Sequence, residues 1–423
     1  MCCSPRTRGS YCPHTGGLRM NEFVETLLDL PWQVGDPKPA YDVVIIGAGG
    51  HGLATAYYLA TRHGITNVCV LDANYIGSGN SGRNTTIIRS NYGIPESVAF
   101  YQHSLEMYQQ LEAETGSWIM HSTKGQIWLA HSVSTARTER TRALMNEACG
   151  AKTDYIGPEE IKRLCPQIDL TGGGRYPVQG ASYHHEGATA RHDRVVWTYA
   201  QGALRNGVHV FQHTPVTGLL KDGDRVTGVQ TPKGNISAGV VLSAVGGHVS
   251  TVAGWAGVRL PIRTHALQAF VTNAYAQEFA PIVSSNDLVF YISQTPRGQM
   301  LIGAEYDRQA SYRTSTSYSY LQACSAKATT LFPFLSKLRI LRSWAGICDV
   351  STDFSPILGH TGVDGLMIST GWGTWGFKAI PAAGEQLAEL IATGTAPPLI
   401  APFGLDRFAK EAAMADPSSA GTR

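Results

Sequence analysis

The sequence predicts an α/β chain, α+β in detail, built as two domains: a Rossmann-like nucleotide-binding domain in discontinuous pieces and a β-rich domain with helices. Three observations carry this expectation. At 423 residues the chain exceeds one ordinary domain. A glycine fingerprint in its first part sits between a strand pattern and a helix pattern. Strand and helix patterns then alternate, and the late apolar run Val240-Val-Leu-Ser-Ala-Val-Gly-Gly is suited to return to the first sheet as a parallel strand.

Asp42 to Ile46 reads as a buried strand, followed by Gly47, Gly49 and Gly52 at G-x-G-x-x-G spacing and a helical pattern from Gly50 to His63. The first glycine allows a tight turn, the second lets backbone approach a pyrophosphate, and the third lets helix and strand pack closely. The helix N-terminus then supports the pyrophosphate. Asn67 to Leu71 supplies the next strand, and Asp72, 20 residues after Gly52, is placed to accept hydrogen bonds from a ribose 2′-hydroxyl. A nucleotide carrying ADP is expected here.

Gly77 to Gly93 is too glycine-rich for a helix and too specific for a linker. Pro95 to Thr115 then has helical spacing, with Val98, Tyr101, Leu105, Tyr108 and Leu111 as core positions. Asp193 to Arg205 reads as a helix stopped by Asn206-Gly207, with Asp193 as its N-cap. Val208 to Ala244 is a run of short strands, with Asp222-Gly-Asp-Arg as a hairpin turn. Residues 267–302 supply more β structure, 315–331 a helix, and 380–392 the last helix. The expected division is an N-terminal extension 1–40, nucleotide-binding pieces 41–120, 188–260 and 344–410, β-rich pieces 121–187 and 261–343, and a tail 411–423.

Composition narrows the class. A formal charge of +2, from 34 basic and 32 acidic residues, offers no field for nucleic acid. No apolar run is long enough to span a bilayer. The eight cysteines lack paired spacing beyond Cys12, which suggests a reducing, cytoplasmic compartment without disulfides. Cys2, Cys3 and Cys12 with His14 match no zinc pattern. Residues 1–18 lack the apolar core of a secretory signal, Met20 is the expected start, and 21–30 reads as a short amphipathic helix.

The order of motifs resembles the D-amino-acid oxidase and glycine oxidase superfamily of flavoproteins, with its glutathione-reductase-like nucleotide fold. Within it the chain is most similar to the beta-subunit family of heterotetrameric sarcosine oxidases. The resemblance rests on Val43-Val-Ile-Ile-Gly-Ala-Gly-Gly-His-Gly-Leu-Ala-Thr-Ala, Gly79-Asn-Ser-Gly-Arg-Asn-Thr-Thr-Ile-Ile-Arg-Ser-Asn-Tyr, Thr189-Ala-Arg-His-Asp-Arg-Val-Val-Trp, Leu219-Leu-Lys-Asp-Gly-Asp-Arg-Val-Thr-Gly-Val, Ser343-Trp-Ala-Gly-Ile and Gly371-Trp-Gly-Thr. It covers Tyr41 to Phe408.

The resemblance implies non-covalent FAD at Gly47, Gly49, Gly50, His51 and Asp72, with Asn80, Arg83, Asn84, Thr86 and Ile88 of the second loop, Val216, and Gly373, Thr374, Gly376 and Lys378 near the flavin ring. Arg89 and Lys378 fall on the family's carboxylate-binding cations, in keeping with the forked donors of arginine and the point charge of lysine. His192 matches the family's attachment point for covalent FMN, and Arg342 is a candidate FMN contact. Cys348 is expected to be buried and unreactive. The implied reaction is oxidation of sarcosine or a similar small amine by FAD, with electrons passing to FMN and O2, on a complex with alpha, gamma and delta subunits. Hydride and adduct routes both stay open. A dehydrogenase for another secondary amine and a non-catalytic flavin subunit are the alternatives. Three departures stand out. Trp375 replaces a glycine and is expected to crowd the amine pocket, Asp72 replaces glutamate, and Ser81-Gly82 differs from the usual loop.

Overall fold

The computed structural model describes residues 35–414 and 416. The Met20 start, the segment 21–30 and the group Cys2, Cys3, Cys12 and His14 lie outside them, as does most of the tail 411–423 beyond its first residues.

The first sheet has eight strands around β1 (Ala40–Ile46). β1 crosses directly into helix α1 (Gly50–His63) and returns in β2 (Val68–Leu71), which lies parallel to it with Val44 opposite Cys69. All four residues of β2 are buried, as expected of a strand covered on both faces. Helices α2 (Pro95–Thr115) and α3 (His192–Arg205) follow, and β3 (Gly234–Ser243) takes the other side of β1 in parallel. The apolar run at Val240 therefore does rejoin this sheet, with Val44 opposite Val241. Two antiparallel strands, Gly218–Asp222 and Arg225–Thr231, extend the edge through the hairpin read at Asp222.

The second sheet, also of eight strands, starts from an edge strand β5 (Ile340–Ser351) beside β4 (Ile262–Ala274). The sequence boundary between 343 and 344 falls inside β5, because this long strand is paired with β4 from Ile340 to Ser351. Further along, Gln126–Ala130 pairs in parallel with Ile282–Ser285, so segments over 150 residues apart in the chain form one wall. A small third sheet pairs Ile88 with Ala188 and Ile87 with Thr189, and ties the glycine-rich loop to the segment that leads into α3.

The last helix, α4 (Gly376–Thr393), begins four residues before the sequence pattern suggests. Pro381 interrupts the pattern, since proline has no N–H for the carbonyl four residues back. α2 supplies the missing donors. Tyr108 donates to the Phe377 carbonyl at 2.6 Å and Ser104 to the Lys378 carbonyl at 2.7 Å. The helix start is thereby carried past the proline, and Lys378 is fixed in its first turn.

The main core lies between the first sheet and helices α1 to α4, and a second one fills the β-rich part. The five described cysteines are unpaired. Among the described residues no helix is long and apolar enough to cross a membrane.

A candidate flavin and substrate cavity

One cavity of about 640 Å³ runs from the carboxyl ends of β1 and β2 to the inner face of the second sheet. Its nucleotide end is the fingerprint. Gly47 has φ +110°, and a Cβ there would stand 2.6 Å from the Ala244 carbonyl oxygen. A Cβ on Gly52 would overlap the Gly47 carbonyl, so the third glycine sets the contact between helix and turn.

Gly49, the N-cap of α1, offers no side-chain cap. Ser81 fills that role from the second loop: its Oγ accepts the Gly50 N–H at 2.9 Å. The hydroxyl proton is left to donate to a phosphate oxygen at the same place. Asp72 lines the cavity, with one carboxylate oxygen accepting the Ala48 N–H and the other the Asn74 N–H, each at 2.8 Å. The shorter acid is thus held against the fingerprint turn, with further lone pairs on each oxygen for ribose hydroxyls.

His51 stacks on Trp372 at 4.2 Å, and its Nε2 lies 2.9 Å from the Gly376 carbonyl. That acceptor puts the ring proton on Nε2. Burial pushes the imidazole down to about 4, so it is neutral, and Nδ1 has no protein partner among the described residues.

The second loop is pinned to its surroundings. Asn80 pairs with Ile347, Arg83 donates to the Ser78 and Gly79 carbonyls, and the Trp344 indole donates to the Arg83 carbonyl at 2.7 Å. Asn84 Oδ1 accepts the Thr86 N–H at 2.8 Å and supports Thr86 at φ +64°. Asn80, Arg83, Asn84, Thr86 and Val216 all line the cavity, as do Gly49, Gly50, Gly373, Thr374 and Gly376. Ile88 does not: it is fully buried in the core.

Arg89 and Lys378 line the same cavity. Both are nearly inaccessible, at 5% and 7% exposure, and neither has a carboxylate ion-pair partner among the described residues. Lys378 Nζ donates to the Thr374 carbonyl at 3.1 Å, and Arg89 Nη1 to the Asn91 carbonyl at 2.5 Å and its Oδ1 at 3.1 Å. Burial lowers the Lys378 pKa well below its ordinary value, and the Arg89 charge lowers it further. A small anion would relieve both charges at once.

Sequence reasoning missed the opposite wall. Gln126, Trp128, Phe290 and Tyr291 enter the cavity from strands of the second sheet, and only sheet pairing brings them there. Asp349 was also missed. It is buried, accepts the Gly371 N–H at 2.7 Å and the Thr370 hydroxyl at 2.9 Å, and its backbone carbonyl accepts the Gly373 N–H at 2.9 Å. It holds the turn that presents Gly373 and Thr374, and burial raises its pKa against these hydrogen bonds.

Trp375 does not crowd the cavity. Its indole turns away and packs on Tyr92 at 4.7 Å and Tyr101 at 5.8 Å, because residue 375 caps α4 with its side chain directed into the core. Cys348 is buried, and burial raises its thiol well above the ordinary value, which makes it a poor nucleophile.

His192 and Arg342 lie outside the cavity lining. The N-cap of α3 is Arg191, and His192 is its first helical residue, which places Asp193 within the first turn. Arg191 takes extended backbone at the cap position and grips the Asp193 carboxylate with two bonds, 2.9 and 2.6 Å, while Asp193 Oδ1 also accepts the Arg194 N–H at 2.9 Å from within the first turn. Burial lowers the His192 pKa, opposed by Asp193 and assisted by Arg191 and Arg342. Its Nδ1 lies 3.9 Å from the Asp193 carboxylate and has no hydrogen-bond partner among the described residues.

Residues 42–390 match the family model described as FAD dependent oxidoreductase. The chain is 43% identical to a sarcosine oxidase subunit beta of an Arthrobacter species, over 89% of this chain and 93% of that protein. It is 43% identical to another from Rhodobacter capsulatus, over 92% and 93%. The L-proline dehydrogenase structure from P. horikoshii superposes with a TM-score of 0.83 at 28% identity, covering 89% of this chain and 99% of that one. Glycine oxidase from Geobacillus kaustophilus shares the fold, with a TM-score of 0.78 at 21% identity over 88% and 99%. The chain therefore belongs to the FAD-dependent oxidoreductases of the D-amino-acid oxidase family and, within them, to the sarcosine oxidase beta subunits.

Proposed function

We propose that this chain is the amine-oxidising beta subunit of a sarcosine oxidase, which demethylates sarcosine to glycine with release of hydrogen peroxide and formaldehyde or methylenetetrahydrofolate. The observation that carries the reading is the pair of buried cations, Arg89 and Lys378, in a cavity whose other end is a dinucleotide fingerprint. FAD fits that cavity: the side-chain-free turn at Gly47 and Gly49, the Ser81 hydroxyl at the helix start and a His51 Nδ1 with no partner among the described residues all meet its outline. Bound there, it supplies a two-electron acceptor for the C–N bond of the amine.

The chain's own residues do the positioning. Arg89 offers forked donors to the substrate carboxylate and Lys378 a point charge, both desolvated and therefore strong. The same two charges disfavour an ammonium beside them, so a bound amine loses its proton more readily than in water. Trp128 and Tyr291 cover the opposite wall and exclude solvent.

His192, its pKa lowered by burial and its Nδ1 without a hydrogen bond among the described residues, would hold FMN covalently, with Arg342 on the exposed start of β5 beside it. Alpha, gamma and delta partner subunits, a cytoplasmic location and the domain division expected from the sequence, apart from its boundary inside β5, belong to the same proposal. Mass spectrometry of the denatured protein tests the cofactors: an FMN-sized adduct on the His192 peptide beside releasable FAD is expected, and an unmodified peptide contradicts it.

The likeness to L-proline dehydrogenase supports a second reading, oxidation of another secondary amino acid. Steady-state rates with sarcosine, dimethylglycine, proline and opines separate the two, with sarcosine expected to give the highest kcat/KM.

A further inference from the structure

We propose that Tyr92 is a positioning residue for the substrate carboxylate: its ring face takes the place of a counter-ion for Arg89 and leaves the guanidinium's in-plane donors free. The inference rests on the carboxylate-binding reading of the cavity and names how that binding is made possible.

A buried arginine is ordinarily paired with a carboxylate, because an unpaired buried charge is costly. Such a pair would occupy the N–H fork that a substrate carboxylate needs. Arg89 is arranged differently. Its guanidinium carbon lies 4.1 Å from the Tyr92 ring centroid and 4.9 Å from that of Trp128. An aromatic face attracts a cation through its quadrupole and makes no use of the N–H groups, which lie in the guanidinium plane. Among the described residues only Nη1 is engaged in hydrogen bonds, through Asn91. The Asp416 carboxylate acts on Arg89 through space but makes no ion pair with it among the described residues, so Arg89 is held as a cation with most of its N–H groups still open.

Tyr92 is the nearer ring and the more firmly held. It is fully buried, stacks on Tyr101 at 4.1 Å and 21°, and is backed by Trp375 at 4.7 Å. Trp128 also faces Arg142 at 5.4 Å, and Arg142 is paired with Glu139, so that indole is shared between two cations. Among the described residues the buried Tyr92 hydroxyl makes no hydrogen bond to Arg89, which assigns the role to the ring rather than to the O–H. Trp375 then acts on the substrate at one remove, through Tyr92, and not by filling the pocket.

The purified FAD-loaded holoenzyme is titrated with acetate, a bare carboxylate, by flavin absorbance, and KM and kcat are measured for sarcosine. Tyr92→Leu is expected to raise the acetate Kd and the KM together about tenfold while kcat stays within about twofold, the pattern of lost uniform binding. Tyr92→Phe restores wild-type values to within about twofold, and Trp375→Leu gives an intermediate rise of about threefold. A general structural defect would lower kcat and FAD retention without this split. If Tyr92→Leu does not retain FAD, Tyr92→Met and Trp375→Leu carry the same comparison. Wild-type acetate affinity in Tyr92→Leu, or equal loss in Tyr92→Phe, overturns the proposal alone. A wild-type enzyme that binds no acetate overturns the carboxylate reading and this proposal with it.

Discussion

The Asn80 carboxamide pairs with both backbone groups of Ile347: its Oδ1 accepts the Ile347 N–H at 2.8 Å and its Nδ2 donates to the Ile347 carbonyl. One side chain thus acts as a short extra strand, and clamps the flavin loop to β5. Replacing it by leucine leaves two inward-facing backbone groups unpaired. Asn80→Leu is expected to cost about 1–3 kcal/mol and to weaken FAD retention, read by thermal unfolding with and without added FAD. An unchanged midpoint in both conditions would show that the clamp is dispensable.

Arg89 and Lys378 make separable contributions. Arg89→Met removes the forked donors, and kcat/KM for sarcosine is expected to fall on the order of 100-fold. Lys378→Met removes a point charge and is expected to lose less. Because both cations disfavour an ammonium nearby, the wild-type kcat rises with pH at a midpoint below that of free sarcosine's amine, and each variant moves that midpoint upward.

Ser81 has a local role that the fold explains, since its Oγ caps α1 at Gly50. Ser81→Ala removes the cap and a phosphate donor together. FAD affinity measured by fluorescence is expected to drop about fivefold, near 1 kcal/mol.

These residues also show what the sequence makes legible. Gly47, Asp72 and α1 are close in the chain, so their spacing alone places a nucleotide. Trp128 and Asp349 reach the cavity only through pairing of distant strands, which no local spacing encodes. Trp375 and Asp193 were recognisable as residues but not as orientations: the side-chain direction of the first depends on Tyr92 and Tyr101, and the second lies inside the first turn with Arg191 at the cap position. The start of α4 was hidden by Pro381, whose lost hydrogen bond is made good from α2.

Two buried histidines contribute to the loss of stability in acid. Burial holds His51 at about 4 and His184 at about 3, from an ordinary 6.5. Both are neutral in the fold, so the unfolded chain binds more protons between these values and 6.5. Their contribution is fully present above pH 6.5 and is lost as pH falls toward 4 and 3, about 3 kcal/mol for His51 alone. Urea unfolding across pH 7 to 4 is expected to show this decline, and His184→Gln to flatten it. A stability independent of pH in that window would contradict the neutral assignment.

The central claim is that a carboxylate-bearing amine is oxidised by FAD beside Arg89 and Lys378. Its most direct test is anaerobic mixing of the purified, FAD-loaded protein with sarcosine or with methylamine, which lacks the carboxylate. Rapid bleaching of the visible flavin absorbance by sarcosine, little by methylamine, and its loss in Arg89→Met are the predicted results. Equal bleaching by the two amines, or none by sarcosine, would contradict the account.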